Sequence, residues 1–195
     1  RLGGAMSLDG YWLLLDRDDL PGGRERRHSL RLRFAGTRGP AGLGVAHVTL
    51  HMALREVFFD LTPEAIQRKI ILLHGMMRRL KNGPPRLGVA ALNPHAGDEG
   101  LFGDEESRII RPAVESARSQ GKDVEGPFPT DTLMVRGRDG EFDGVVAMYH
   151  DQGHIALKLL GMHRAVNVTL GLPIVRTSVA HGTAFDIAWQ GVARA

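Results

Sequence analysis

Phe142-Asp143-Gly144-Val145-Val146-Ala147-Met148-Tyr149 runs straight into His150-Asp151-Gln152-Gly153. An apolar, β-branched run that ends in a polar, glycine-containing turn reads as a buried strand delivering functional groups at its carboxyl end. The same grammar recurs twice upstream. Leu87–Leu92 leads into Asn93-Pro94-His95-Ala96-Gly97, and Val45–Leu50 ends at His51. Helical signals separate these runs. Thr62-Pro63-Glu64 pairs a hydroxyl N-cap with a proline at the first helical position and an acid in the first turn. From there Ile66, Ile70, Leu73 and Met77 mark one apolar face as far as Lys81, and Asn82-Gly83 is the stop. Glu105–Ser119 reads as a second helix closed by Gly121. Val166–Thr169 and Ile174–Ser178 read as strands on either side of Gly171-Leu172-Pro173. Strands alternating with helices predict an α/β fold with a mostly parallel sheet.

The 195 residues have a mass of 21.3 kDa, with 43% hydrophobic and 24% charged residues. That composition fits a globular chain and excludes a largely disordered one. No apolar run reaches the roughly 20 residues of a membrane span. Without cysteine there is no disulfide, thiolate metal site or thiol nucleophile. No secretory signal is recognisable, so a cytoplasmic location is expected. The whole net charge of +3 sits in residues 1–45, which hold eight Arg and five acids, whereas 46–195 balance at 17 of each sign. Arg24, Arg26, Arg27, Arg31 and Arg33 read as a solvated segment rather than a nucleic-acid arm, because no basic face is clustered. Tyr11–Leu15 and Ser29–Phe34 are short strand candidates between glycine-rich breaks. Residues 1–44 are therefore expected to be divergent or poorly ordered, and 45–195 to form the α/β region.

The chemistry gathers at the strand ends. In open α/β sheets ligands bind in the crevice outside those ends, and His51, His95 and His150 are delivered there. One histidine from each of three strand ends, with positions left open for substrate, suits a catalytic divalent metal. Taken singly, each reads more readily as a surface or hydrogen-bonded core histidine than as a ligand; their placement together in polar, glycine-rich turns brings the two readings level. His47/His51 and His150/His154 have helical zinc-protease spacing, but neither pair carries the glutamate of that motif, and His47–His51 has a strand's composition. Taken alone, Asp131 reads more readily as an N-cap or turn former, and Asp151 as a loop acid, than as functional acids, while Asp186 closes the stretch His181–Asp186. Lys158 is one of only four lysines against 21 arginines and lies among Ile155, Ala156, Leu157, Leu159 and Leu160. It is either a partly buried proton-transfer group or a lysine holding its head in water. There is no G-x-G-x-x-G and no P-loop.

Five motifs occur in order: Asn93-Pro94-His95-Ala96-Gly97; Gly126-Pro127 with Pro129-Thr130-Asp131-Thr132; Ala147–Gly153; Val166–Pro173; and Arg176-Thr177-Ser178 through His181-Gly182-Thr183-Ala184-Phe185-Asp186. Together they resemble the 4-hydroxythreonine-4-phosphate dehydrogenase family of pyridoxal phosphate (vitamin B6) biosynthesis. That family's paralogues act on 4-phospho-threonate or erythronate and on an aromatic dihydrodiol carboxylate. The resemblance covers about residues 45–193. It implies a three-layer isocitrate/isopropylmalate dehydrogenase-like fold and a homodimer. It implies a metal, zinc first and magnesium, cobalt or manganese next, held by His51 and His95 of one subunit and His150 of the other. It implies substrate contacts from Asp131, Lys158, Asn167 and Arg176, with Lys158 or Asp131 moving the proton and Arg176 gripping a carboxylate. His181, Gly182, Thr183, Ala184 and Asp186 match the loop that takes the adenosine of NAD or NADP, without a Rossmann fingerprint.

This chain also departs from the pattern. Ala180 stands where the family usually has Asp, Trp189 where it usually has Gly, and the family's long N-terminal region, with its phosphate-binding His-Thr pair, is not recognisable in residues 1–44. The expected activity is metal-dependent, NAD-linked oxidation, with decarboxylation, of a phosphorylated hydroxy acid. The alternative is a metal-binding, dimerising remnant without turnover.

Overall fold

A computed structural model describes residues 13–15, 29–33, 42–81, 83–161, 165–169, 176–179 and 182–193. In chain order the strands are β1 (Leu13–Leu15), β2 (Ser29–Arg33), β3 (Leu43–His47), β4 (Leu87–Ala90), β5 (Val124–Phe128), β6 (Gly144–Ala147), β7 (Val166–Thr169) and β8 (Arg176–Val179). The helices are α1 (Leu54–Asp60), α2 (Pro63–Lys81), α3 (Arg111–Ser119), α4 (Thr130–Arg138) and α5 (His150–Gly161). The strands form one sheet in the order β5-β4-β6-β3-β2-β7-β8, with β1 paired to β2.

Four strands, β5-β4-β6-β3, are parallel, as the alternating pattern predicts. The remaining pairs are antiparallel: β2 with β3, β2 with β7, β7 with β8 and β1 with β2. This corrects the expectation of a mostly parallel sheet. The reason is local for β7 and β8. Only residues 170–175 join them, too short a link for the crossover that a parallel pair needs. Because β1 and β2 fall within residues 1–44, the sheet continues across the expected segment boundary.

Strands β3, β4 and β6 are buried on both faces, which explains their largely apolar composition. Alternate residues feed two cores. Ala46, Val48, Val89 and Val146 meet Ile66, Ile70, Leu73 and Met77 of α2 and Val114 and Ala117 of α3. Val45, Ala90, Val145 and Ala147 meet Leu133 and Met134 of α4 and Leu157 of α5. Helices on both sides of a central sheet give three layers. The α2 start works as its sequence predicts, with Thr62 Oγ1 accepting from the Ala65 N–H at 3.2 Å.

Several elements differ from expectation. His150-Asp151-Gln152-Gly153 is the first turn of α5, not a loop. The span 105–119 divides into a π-helical turn, Glu106–Ile110, and α3. Helices α1 and α4 and strand β5 carry no clear periodic signal, and sequence reasoning passed over them. No helix among the described residues is long and apolar enough to cross a membrane.

Candidate functional site

The connections that leave the carboxyl ends of the parallel strands diverge. From β3 and β4 the chain turns to the face covered by α2 and α3, whereas β6, lying between them, feeds α5 on the opposite face. Neighbouring strands whose connections leave on opposite sides cannot fill the space above their ends. His51 follows β3, His95 follows β4, Asp131 follows β5, and His150 opens α5 directly after β6.

Polar side chains bind these ends to one another. Gln152 Oε1 accepts from the Met148 N–H at 2.6 Å, and its Nε2 donates to the Ala91 carbonyl at 2.7 Å, which ties β6 to β4. Thr49 Oγ1 donates to the Met148 carbonyl at 2.8 Å and joins the β3 exit to that of β6. Thr130 Oγ1 reaches the Ala91 carbonyl at 3.2 Å from the β5 exit.

The His95 turn has an unusual backbone. His95, Ala96, Gly97, Asp98 and Glu99 are all left-handed, with φ between 44° and 82°. For non-glycine residues that conformation costs about 1–2 kcal/mol each. Glu106, buried to 3% exposure, anchors the turn. Its Oε1 accepts from the N–H groups of Leu92 (2.8 Å) and Asn93 (2.7 Å), and its Oε2 from Asn93 Nδ2 (3.0 Å). Gly97 has φ +82° and a Cβ there would meet Glu106 Oε2 at 2.7 Å, so both conformation and space require glycine.

His150 is half-buried, and its Nδ1 lies 2.6 Å from Asp151 Oδ1. A carboxylate accepts only, so Nδ1 carries the proton and Nε2 is left with a lone pair, the arrangement metal-binding histidines use. Its ring centroid is 5.4 Å from that of His51. Two imidazoles on one tetrahedral metal, at their usual bond lengths, have centroids roughly 5 Å apart. The separation of the two rings is close to that spacing. His95 is exposed, with its ring 6.2 Å from that of Phe102, and no group of three ligands forms among the described residues. The resemblance puts His51 with His95 in one subunit; the near pair within this chain is His51 with His150.

The other expected residues are spread around the edge. Asp131 is exposed in the first turn of α4, and its Oδ1 accepts from the Thr132 N–H at 2.8 Å. Lys158 is exposed on α5, the water-facing alternative of its two readings. Asn167 lies in β7 opposite Ser178, and Arg176 begins β8 opposite Thr169. Gly182, Thr183, Ala184 and Asp186 follow β8; Ala184 is left-handed at φ 50°, and His181 lies outside the described residues.

Sequence reasoning missed two buried histidines. His47 is fully buried and His154 is 3% exposed; their rings lie 4.4 Å apart, with His154 Nδ1 3.0 Å from His47 Nε2. The signal was present in the four-residue spacing of His150 and His154, which was weighed only as a protease motif.

Fold and site together define an α/β protein that carries histidines at the carboxyl ends of neighbouring parallel strands. The family model for "Pyridoxal phosphate biosynthetic protein PdxA" matches residues 32–195, and the chain belongs to that family. It is 52% identical over 152 residues to a D-threonate 4-phosphate dehydrogenase of Salmonella typhimurium, covering 78% of this chain and 46% of the relative. It is 53% identical over 146 residues to a 4-hydroxythreonine-4-phosphate dehydrogenase of Beijerinckia indica, covering 75% of this chain and 43% of that one. Among solved structures, a 4-hydroxythreonine-4-phosphate dehydrogenase from Klebsiella pneumoniae superposes with a TM-score of 0.74 at 46% identity, over 86% of this chain and 49% of the other. The chain thus spans about half the length of these relatives.

Proposed function

We propose that this protein is a metal-dependent, NAD(P)-linked dehydrogenase that oxidises a phosphorylated hydroxy acid of the 4-hydroxythreonine 4-phosphate or D-threonate 4-phosphate type, with decarboxylation. The observation that carries the reading is that a chain about half identical to dehydrogenases of those names brings His51, His95 and His150 to the carboxyl ends of neighbouring parallel strands. His51, His95 and His150 hold the divalent ion, zinc first, between two subunits of a homodimer. The exposed Ile155 and Leu159 of α5 offer an apolar face for a second copy. The sheet with its two helical layers belongs to the isocitrate/isopropylmalate dehydrogenase-like class, and the enzyme works in the cytoplasm.

A bound divalent ion supplies a Lewis acid beside the substrate hydroxyl. This chain's residues do the rest. Lys158 or Asp131 would take the hydroxyl proton, and a bound dinucleotide would supply the hydride acceptor. Arg176 and Asn167 orient the substrate's acidic and hydroxyl groups from the antiparallel side. Residues 181–186 receive the adenosine end of the dinucleotide.

Metal analysis of the purified chain tests the reading. His51→Ala, His95→Ala and His150→Ala are each expected to abolish stoichiometric metal uptake while leaving the far-UV spectrum unchanged. Full metal retention in any of the three removes that residue from the site.

A further inference from the structure

His154 stands one helical turn beyond His150 on α5, and the two rings are stacked, with centroids 3.8 Å apart and planes inclined by 12°. Rings stacked in this way cannot share an ion, because their nitrogen lone pairs lie in nearly parallel planes and do not converge. His154 is therefore a wall against the face of His150 rather than a ligand beside it. The wall is itself fixed. His154 Nδ1 is 3.0 Å from the His150 carbonyl and 3.0 Å from His47 Nε2. The carbonyl can only accept, so the proton resides on His154 Nδ1 and is shared with His47 Nε2, which leaves His47 protonated at Nδ1. Both histidines are buried, His47 at 0% and His154 at 3% exposure. The close approach of His47 to α5 is made possible by Gly153, where a Cβ would run into the His47 ring and Val45. With Asp151 holding the Nδ1 edge of His150 and His154 covering one face, its ring has one plane and one tautomer available before any ligand arrives.

We propose that His154, backed by His47, is a positioning residue that pre-orders the His150 imidazole for metal through ring stacking. The inference rests on the reading of His150 as a ligand given above. Groups behind a ligating histidine typically change metal affinity by about 10- to 100-fold.

Two substitutions separate the ring face from the donor. His154→Phe keeps an aromatic face and loses the N–H; His154→Asn keeps a donor near Nδ1 and loses the face. Cobalt(II) affinity of the full chain is measured by competition with a chelating dye. Ring-proton NMR of the metal-free chain then reports whether the His150 ring holds a single orientation. His154→Phe should bind cobalt within about threefold of the unsubstituted chain, and His154→Asn about tenfold or more weakly, with averaged His150 ring signals only in the latter. Equal affinities of the two variants, the reverse order, or unchanged ring signals in His154→Asn would overturn the proposal. If the unsubstituted chain takes up no cobalt, the metal reading falls, and the ring spectra of the metal-free variants alone decide whether His154 orders His150.

Discussion

At Gly153 the candidate site depends on the absence of a single carbon. A methyl group there would press against the His47 ring and Val45, both fully packed in the layer between β3 and α5. Overpacking of this kind costs about 1–3 kcal/mol. Gly153→Ala is expected to lower the urea midpoint accordingly, although alanine is the better helix former. Glu106 is the complementary case, a buried carboxylate that holds three N–H donors around the left-handed His95 turn. Glu106→Ala leaves two backbone donors without it and should cost at least about 2 kcal/mol in equilibrium unfolding. Trp189 shows the converse. It has φ +65° and stands fully exposed, which gives a backbone reason for glycine at that place in the family's pattern.

Strands and amphipathic helices were legible where one physical signal dominated. Helix α2 carries a cap, a proline and a four-residue apolar face, and it runs from Pro63 to Lys81 as its sequence predicts. Helix α4 has Thr130, Thr132 and Gly137 within nine residues, so its helicity comes from packing Leu133 and Met134 rather than from propensity. The α5 start was hidden because Gly153 imitates a turn, when its real cause lies in His47 on a distant strand. Likewise, placing three histidines at strand ends needed only local pattern, whereas the His47–His154 contact spans 107 positions and no spacing encodes it.

Helix α2 also carries a pH-dependent element. Burial, and then the nearby Lys122 and Arg78, push the His74 imidazole below its ordinary value, only partly opposed by Asp123. The unfolded chain protonates this group near pH 6.5, the folded chain only at lower pH. Stability is therefore complete above about pH 6.5 and is lost as pH falls through the lowered folded value. Denaturant midpoints across that interval should fall less steeply for His74→Gln than for the unsubstituted chain.

At the scale of the molecule, two apolar cores clamp the parallel strands of a mixed sheet, and the candidate histidines lie at the carboxyl ends of those strands. The amino ends are held by a separate charged cluster in which Lys81 reaches Asp143 at 2.7 Å and Arg86 pairs with Glu125 at 2.7 Å. The candidate histidines and these ion pairs thus lie at opposite ends of the strands. Leu159 is 83% exposed on α5 and shares a face with Ile155. A glutamate there adds charge where a second copy is proposed to pack, so Leu159→Glu should shift the chain toward monomer in sedimentation velocity. An unchanged sedimentation coefficient would place the dimer contact elsewhere.

The most direct test of the central claim is NAD(P)+ reduction by the metal-loaded chain, measured with D-threonate 4-phosphate and with 4-hydroxythreonine 4-phosphate. NADH or NADPH formation with at least one of them, abolished in His150→Ala and strongly lowered in Lys158→Ala, is the predicted result. Stoichiometric metal without any reduced dinucleotide would contradict the dehydrogenase assignment and leave a metal-binding module in its place.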